Sequence, residues 1–158
     1  MPDLANLWYD AIQQKPLSDE EIKFVKQNLK ARKVDQVVMA ESILFLRAKN
    51  QTGIKQRLLT MCGQQKYRDN SMAMTILLFV LGFFLNSEII KNKGALDLVR
   101  RGSQSPFTPA RINAIRVLQR LAKSNNTEAI QLLKSSLKDK QSQVREAARV
   151  ALKLAGVK

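Results

Sequence analysis

Two short runs of cations could do chemistry by their type and spacing. Arg145, Arg149 and Lys153 recur at i, i+4 and i+8, and Arg116, Arg120 and Lys123 at i, i+4 and i+7. At 3.6 residues per turn, each run forms one basic stripe along a helix. Guanidinium groups donate paired hydrogen bonds to phosphate and carboxylate oxygens, so such stripes suit a polyanion. Arg111 would extend the Arg116 stripe at its helix start. Arg100 and Arg101, beside Ser103, Gln104 and Ser105, would add phosphate contacts at a loop.

The chain otherwise offers little to a catalyst. Its 158 residues include no histidine and a single cysteine, Cys62. A Ser-His-Asp triad, a Cys-His pair and a His-bearing zinc site are therefore excluded, as is a disulfide within the chain. Cys62 lies among Leu58, Leu59 and Met61 and reads as a buried structural thiol. Asp69, Glu88 and Asp97 are single acids with no evident partner. No enzyme activity, cofactor or metal is expected. Nothing requires an oxidising compartment, and the opening MPDLANLWYD lacks a secretory pattern, so the expected location is the cytoplasm.

Charge points the same way as the stripes. The formal net charge is +14, from 27 Lys and Arg against 13 Asp and Glu. Residues 1–46 hold six basic and seven acidic side chains, whereas residues 47–158 hold 21 and six. A one-sided positive field attracts nucleic acid, an acidic protein surface or an anionic membrane. Nucleic acid is the first expectation, held at its phosphates without strong sequence preference. An acidic protein or peptide is the competing partner, and peripheral contact with an anionic membrane needs no more than the same charge. Lys23, Lys26, Lys30, Arg32 and Lys33 follow Asp19, Glu20 and Glu21, an order that suits the helix dipole and reads as a solvated face. The apolar stretch Met72 to Leu85 has 14 residues. A bilayer core needs about 20, so a buried helix is expected there, with Phe79, Phe83 and Phe84 in the core.

The elements that must carry these residues read as helices throughout. Ser18-Asp19-Glu20-Glu21 is a capping box for a helix to about Lys33. Helices follow from Val37 to about Lys49, ended by Asn50-Gln51-Thr52-Gly53, and from Ile54 to about Gln64. Asp69 or Asn70 caps the next, from Met72 to Leu85. Asn86 and Ser87 open one to Arg101 that Gly94 would break or kink, and 102–107 reads as a long loop. Thr108 caps a helix with Pro109 at its first position, to about Ser124. Asn126 or Thr127 opens another to about Lys138, and Ser142 the last, to Gly156. Leu4 to Gln14 forms a further helix.

Ala40, Ala73, Ala114 and Ala147 are separated by 33, 41 and 33 residues. Ile43, Ile76, Val117 and Val150 follow each by three, and Arg47, Val80, Leu121 and Leu154 by seven. Leu44, Leu77, Leu118 and Ala151 follow by four, and Ala48, Leu81, Ala122 and Ala155 by eight; Arg47 breaks the column. Such a column suits stacked helix pairs, the small residue allowing close approach. At this register Arg116 would lie beside Arg149 and Arg120 beside Lys153, a two-by-two basic patch.

Residues 142–156, SQVREAARVALKLAG, resemble the second helix of a HEAT-like repeat, and residues 88–99 with 114–122 are similar to an armadillo repeat. The resemblance is clear over 86–158 and weak before 70. It implies an all-α, right-handed α-α superhelix of about four helix pairs with an N-terminal capping helix. The expected division is one domain over 1–158: a cap over 1–16, then pairs over 18–49, 52–85, 86–124 and 126–156. The resemblance puts the second helices on a concave face and offers Arg145 an alternative role, packed structurally under its neighbour. It also names a third class, the HEAT-like DNA glycosylases, whose base-pocket aromatic and acidic residues have no match here.

Overall fold

A computed structural model describes residues 2–47 and 52–157. Among the described residues there are eleven helices and no strand, so the chain is all-α. The expected helix end at Lys49 to Gln51, and Ala48 of the alanine column, lie outside the described residues. The chain divides into two compact units, Met1–Leu77 and Leu78–Lys158.

In the first unit, α1 (Leu4–Ile12) is started by Asp3, whose carboxylate accepts from the Asn6 amide at 3.4 Å. It buries Leu4, Leu7 and Ala11 together with Val25, Ala40 and Ile43, the core of this unit. Each fully buried leucine contributes about 1.5–3 kcal/mol. The capping box forms as expected: the Glu21 amide donates to Ser18 Oγ at 3.2 Å, and the Ser18 amide to Glu21 Oε2 at 2.8 Å. That helix, α2 (Asp19–Asn28), stops short of Lys33. Leu29, Lys30 and Ala31 turn to i−3 carbonyls, which tightens the chain out of the α-helix.

α3 (Val34–Arg47) packs against α1, α2 and α4 (Thr52–Cys62). Thr52 and Gly53 thus begin α4 instead of ending a loop. The single turn α5 (Gln65–Arg68) was not expected; it buries Tyr67. Asn70 then caps α6 (Ser71–Leu81), accepting from the Ala73 amide at 2.8 Å. Cys62 is buried, and burial pushes its thiol up to about 12 against the opposing pull of Arg68. It stays protonated at neutral pH and is a packing group.

The second unit holds α7 (Asn86–Ile90), α8 (Lys93–Ser103), α9 (Thr108–Lys123), α10 (Thr127–Ser136) and α11 (Ser142–Leu154). The expected break at Gly94 falls instead at Lys91-Asn92, because Asn92 caps α8 through the Ala95 amide at 2.9 Å. Asn126 caps α10 through the Ala129 amide at the same distance, 34 residues on. α9 packs against α8, α10 and α11. Gly156 closes the last helix with φ +73°, a conformation that favours glycine.

Gly102 corrects the loop reading. It is buried within α8, where a Cβ would stand 2.4 Å from Leu78 Cδ1 and 3.3 Å from Ala114 Cβ. Glycine lets α8 approach α9 that closely. Gly102→Val is expected to lower stability by about 1–3 kcal/mol through overpacking, read as a lower urea midpoint at unchanged slope.

The repetition in this unit has a period of 34, and it is chemical as well as spatial. The Phe107 amide donates to Ser105 Oγ at 3.1 Å, and the Gln141 amide to Asp139 Oδ1 at 2.8 Å. Arg111 donates to the carbonyls of Ser105 and Pro106 at 2.7 and 3.1 Å. Arg145 donates to those of Asp139 and Lys140 at the same two distances. The buried residues Ala110, Ala114, Val117 and Leu118 of α9 match the buried Val144, Ala148, Ala151 and Leu152 of α11. Ala148 therefore replaces Ala147 in the column: Ala147 is half-buried and Val150 is 45% exposed.

Candidate anion-binding surface

The shift from 33 to 34 residues rearranges the basic stripes. One residue is about 100° around a helix. Arg116 is thus in register with Val150, and Arg120 with Leu154. Arg149 and Lys153 instead match Ile115 and Gln119. Ile115 is buried, whereas Arg149 and Lys153 are exposed. The two-by-two patch of Arg116, Arg120, Arg149 and Lys153 does not form as expected. Polar residues at the α11 positions equivalent to a buried isoleucine keep that face solvated, as terminal repeats require.

Several of the expected anion ligands are turned inward or paired. Arg111 is buried, and its guanidinium meets the Asp139 carboxylate at 2.8 Å. It does not extend the surface. Burial alone would raise the Asp139 pKa, but the Gln141 amide, the Arg111 guanidinium and Lys140 together outweigh burial and lower it. Arg145 is half-buried over its two carbonyls, which matches the structural role implied for its position. Arg100 bridges Asp97 at 2.6 Å and Glu128 at 3.0 Å. Its hydrogen bond to Glu128 raises its own pKa and lowers that of the carboxylate. Arg100 is therefore no ready phosphate ligand, while Arg101 is exposed.

Arg120 is half-buried and donates to the Gly82 carbonyl. Arg149 pairs with Glu146 at the surface, a contact worth little there. Arg116, exposed, donates to Asn113 Oδ1 at 3.3 Å, and Lys123 is exposed at the end of the same helix. Of the nine candidates, Arg101, Arg116, Lys123, Arg149 and Lys153 face solvent. No group of three or more His, Cys, Asp or Glu that could hold a metal occurs among the described residues. No helix among them is long and apolar enough to cross a membrane.

Residues that sequence reasoning placed in the core lie on this surface. Phe83 is 56% exposed, Val150 45% and Leu154 56%. Phe79 and Phe84 differ from Phe83: Phe84 is fully buried, and Phe79 is half-buried with its ring 5.5 Å from that of Phe83. The signal for Val150 and Leu154 was present in the sequence. Aligning Arg111 with Arg145 gives the 34-residue register and places both opposite arginines. No family model matches this chain, and neither a curated protein nor a solved structure matches it.

Proposed function

We propose that this chain is a non-catalytic binding protein whose second unit takes an anionic macromolecule. The observation that carries this reading is charge without internal compensation. Residues 78–158 hold fifteen Lys and Arg against five Asp and Glu. Four of those carboxylates face only three arginines, and Glu88 accepts from the Leu85 amide at 2.7 Å. The remaining cations supply a positive field that the unit does not neutralise. The 34-residue repetition of caps, burial and arginine–carbonyl bonds supports a right-handed α-α superhelix of the HEAT or armadillo kind, with α9 and α11 as its second helices.

Charge alone favours nucleic acid, with an acidic protein as its rival. The test uses two labelled probes, a single strand of about 20 nucleotides and poly-glutamate, from about 50 to 300 mM salt. Reversing Arg116, Lys123 and Lys153 to Glu together is expected to weaken binding of either probe by about tenfold or more, at unchanged helicity. Equal loss on reversing Lys23, Lys26 and Lys30 in the first unit would reduce the effect to net charge.

A further inference from the structure

The turn between α6 and α7 is unusual in its chemistry. Turns commonly carry polar residues, but Gly82-Phe83-Phe84-Leu85 is apolar, with Phe83 and Leu85 56% and 62% exposed. It is also fixed from behind. Arg120 donates to the Gly82 carbonyl, and Asn86 Nδ2 donates to the Arg120 carbonyl at 2.9 Å and to Ser124 Oγ at 2.7 Å. The Phe83 ring leans on Phe79 and stays in solvent.

The 34-residue register places Leu154 level with Arg120 and Val150 level with Arg116. Across the unit this makes one strip: Phe83, then Arg120 and Arg116, then Leu154 and Val150, with Lys153 at its rim. Single exposed apolar residues need no explanation. An apolar pair at i and i+4 beside a basic row, continued by an aromatic on a clamped turn, is a contiguous amphipathic surface. Phosphates would use its cations, but aliphatic Val150 and Leu154 offer nothing to a phosphate chain. A protein helix with apolar residues on one face and carboxylates beside them uses both, and apolar anchors in a groove are how such helices dock.

We infer that the anionic partner is an acidic amphipathic helix of another protein, seated along Phe83, Arg116, Arg120, Val150 and Leu154. This rests on the anion-binding reading above and narrows it. The probes are a synthetic acidic peptide of about 20 residues with leucines at i, i+4 and i+7, a scrambled peptide of the same composition, and single-stranded DNA of about equal charge. Binding is read by anisotropy at about 150 mM salt for the full chain and for the double variant Val150→Gln, Leu154→Gln. Both positions are exposed and glutamine is a good helix former, so helicity by circular dichroism should be unchanged.

The patterned peptide is expected to bind about tenfold or more tighter than the scrambled one and the DNA, and the double variant to remove that advantage while leaving DNA binding unaltered. Equal binding of the two peptides, tighter binding of DNA, or an unaffected double variant would overturn the inference while leaving anion binding intact. Failure of every probe to bind, even at about 50 mM salt, would overturn both readings.

Discussion

Arg111→Ala is expected to destabilise the protein by about 3–5 kcal/mol, the usual result of removing one partner from a buried ion pair. The Arg111 side chain is 5% exposed and that of Asp139 14%. Truncation leaves the Asp139 carboxylate without its cation and removes the donor that serves the Ser105 and Pro106 carbonyls. Arg145→Ala is the matched control. It removes the same two carbonyl bonds from a half-exposed site with no carboxylate in the set, and should cost only about 1 kcal/mol. Urea unfolding of the full chain at pH 7 separates the two. The acid dependence has a definite sign. Because the folded Asp139 pKa is lowered, its contribution is complete above the ordinary carboxylate value of about 4 and is lost as pH falls through the folded value. The gap between wild type and Arg111→Ala should therefore narrow at about pH 3. A gap that widens in acid would contradict this account of the pair.

The second large effect belongs to the first unit and tests opposite signs at one contact. Glu41 is buried, accepts from Arg57 Nε at 2.7 Å, and leaves Oε2 without a hydrogen-bond partner beside an equally unpartnered Ser42 hydroxyl. Arg57 is half exposed. Arg57→Ala strands the buried carboxylate and is expected to cost about 2–3 kcal/mol, below the fully buried range because water reaches the arginine side. Glu41→Met removes the buried charge and leaves Arg57 solvated, so it should be neutral or stabilising. Trp8, the sole tryptophan, packs against the core of this unit, so its fluorescence reports the unit's unfolding. Equal destabilisation by both substitutions would show that the pair is a net source of stability.

Local chemistry made most helix starts legible. Ser18 with Glu21, Asn70, Asn126 and Pro109 act through atoms two or three residues away, so their signals survive in the sequence. What depended on a neighbouring element did not. Gly102 reads as a loop glycine unless Leu78 and Ala114 are known to press against it. α5 is a single turn, too short for a periodic signal. The basic patch failed on one residue: Ala147 and Ala148 are adjacent, either fills an alanine column, and only burial chooses between them. That choice turns Val150 and Leu154 outward and moves Arg149 and Lys153 to a different face. Arg111 and Arg120 were legible as cations but not as donors to particular carbonyls, because Ser105 and Gly82 are brought to them by the chain's return.

The repeated arginine motif has a consequence for how disturbance spreads. Most of its bonds close within six residues, so each hairpin can form and fray largely by itself. Asp139 is the exception. It stands where the preceding hairpin has Ser105, and its carboxylate reaches back 28 residues to Arg111. A polar side chain that otherwise only shapes its own turn has there become a tie between consecutive hairpins. Local opening of the last hairpin must break that ion pair in a nearly dry site, so amide exchange in α10 and α11 is coupled to that in α9.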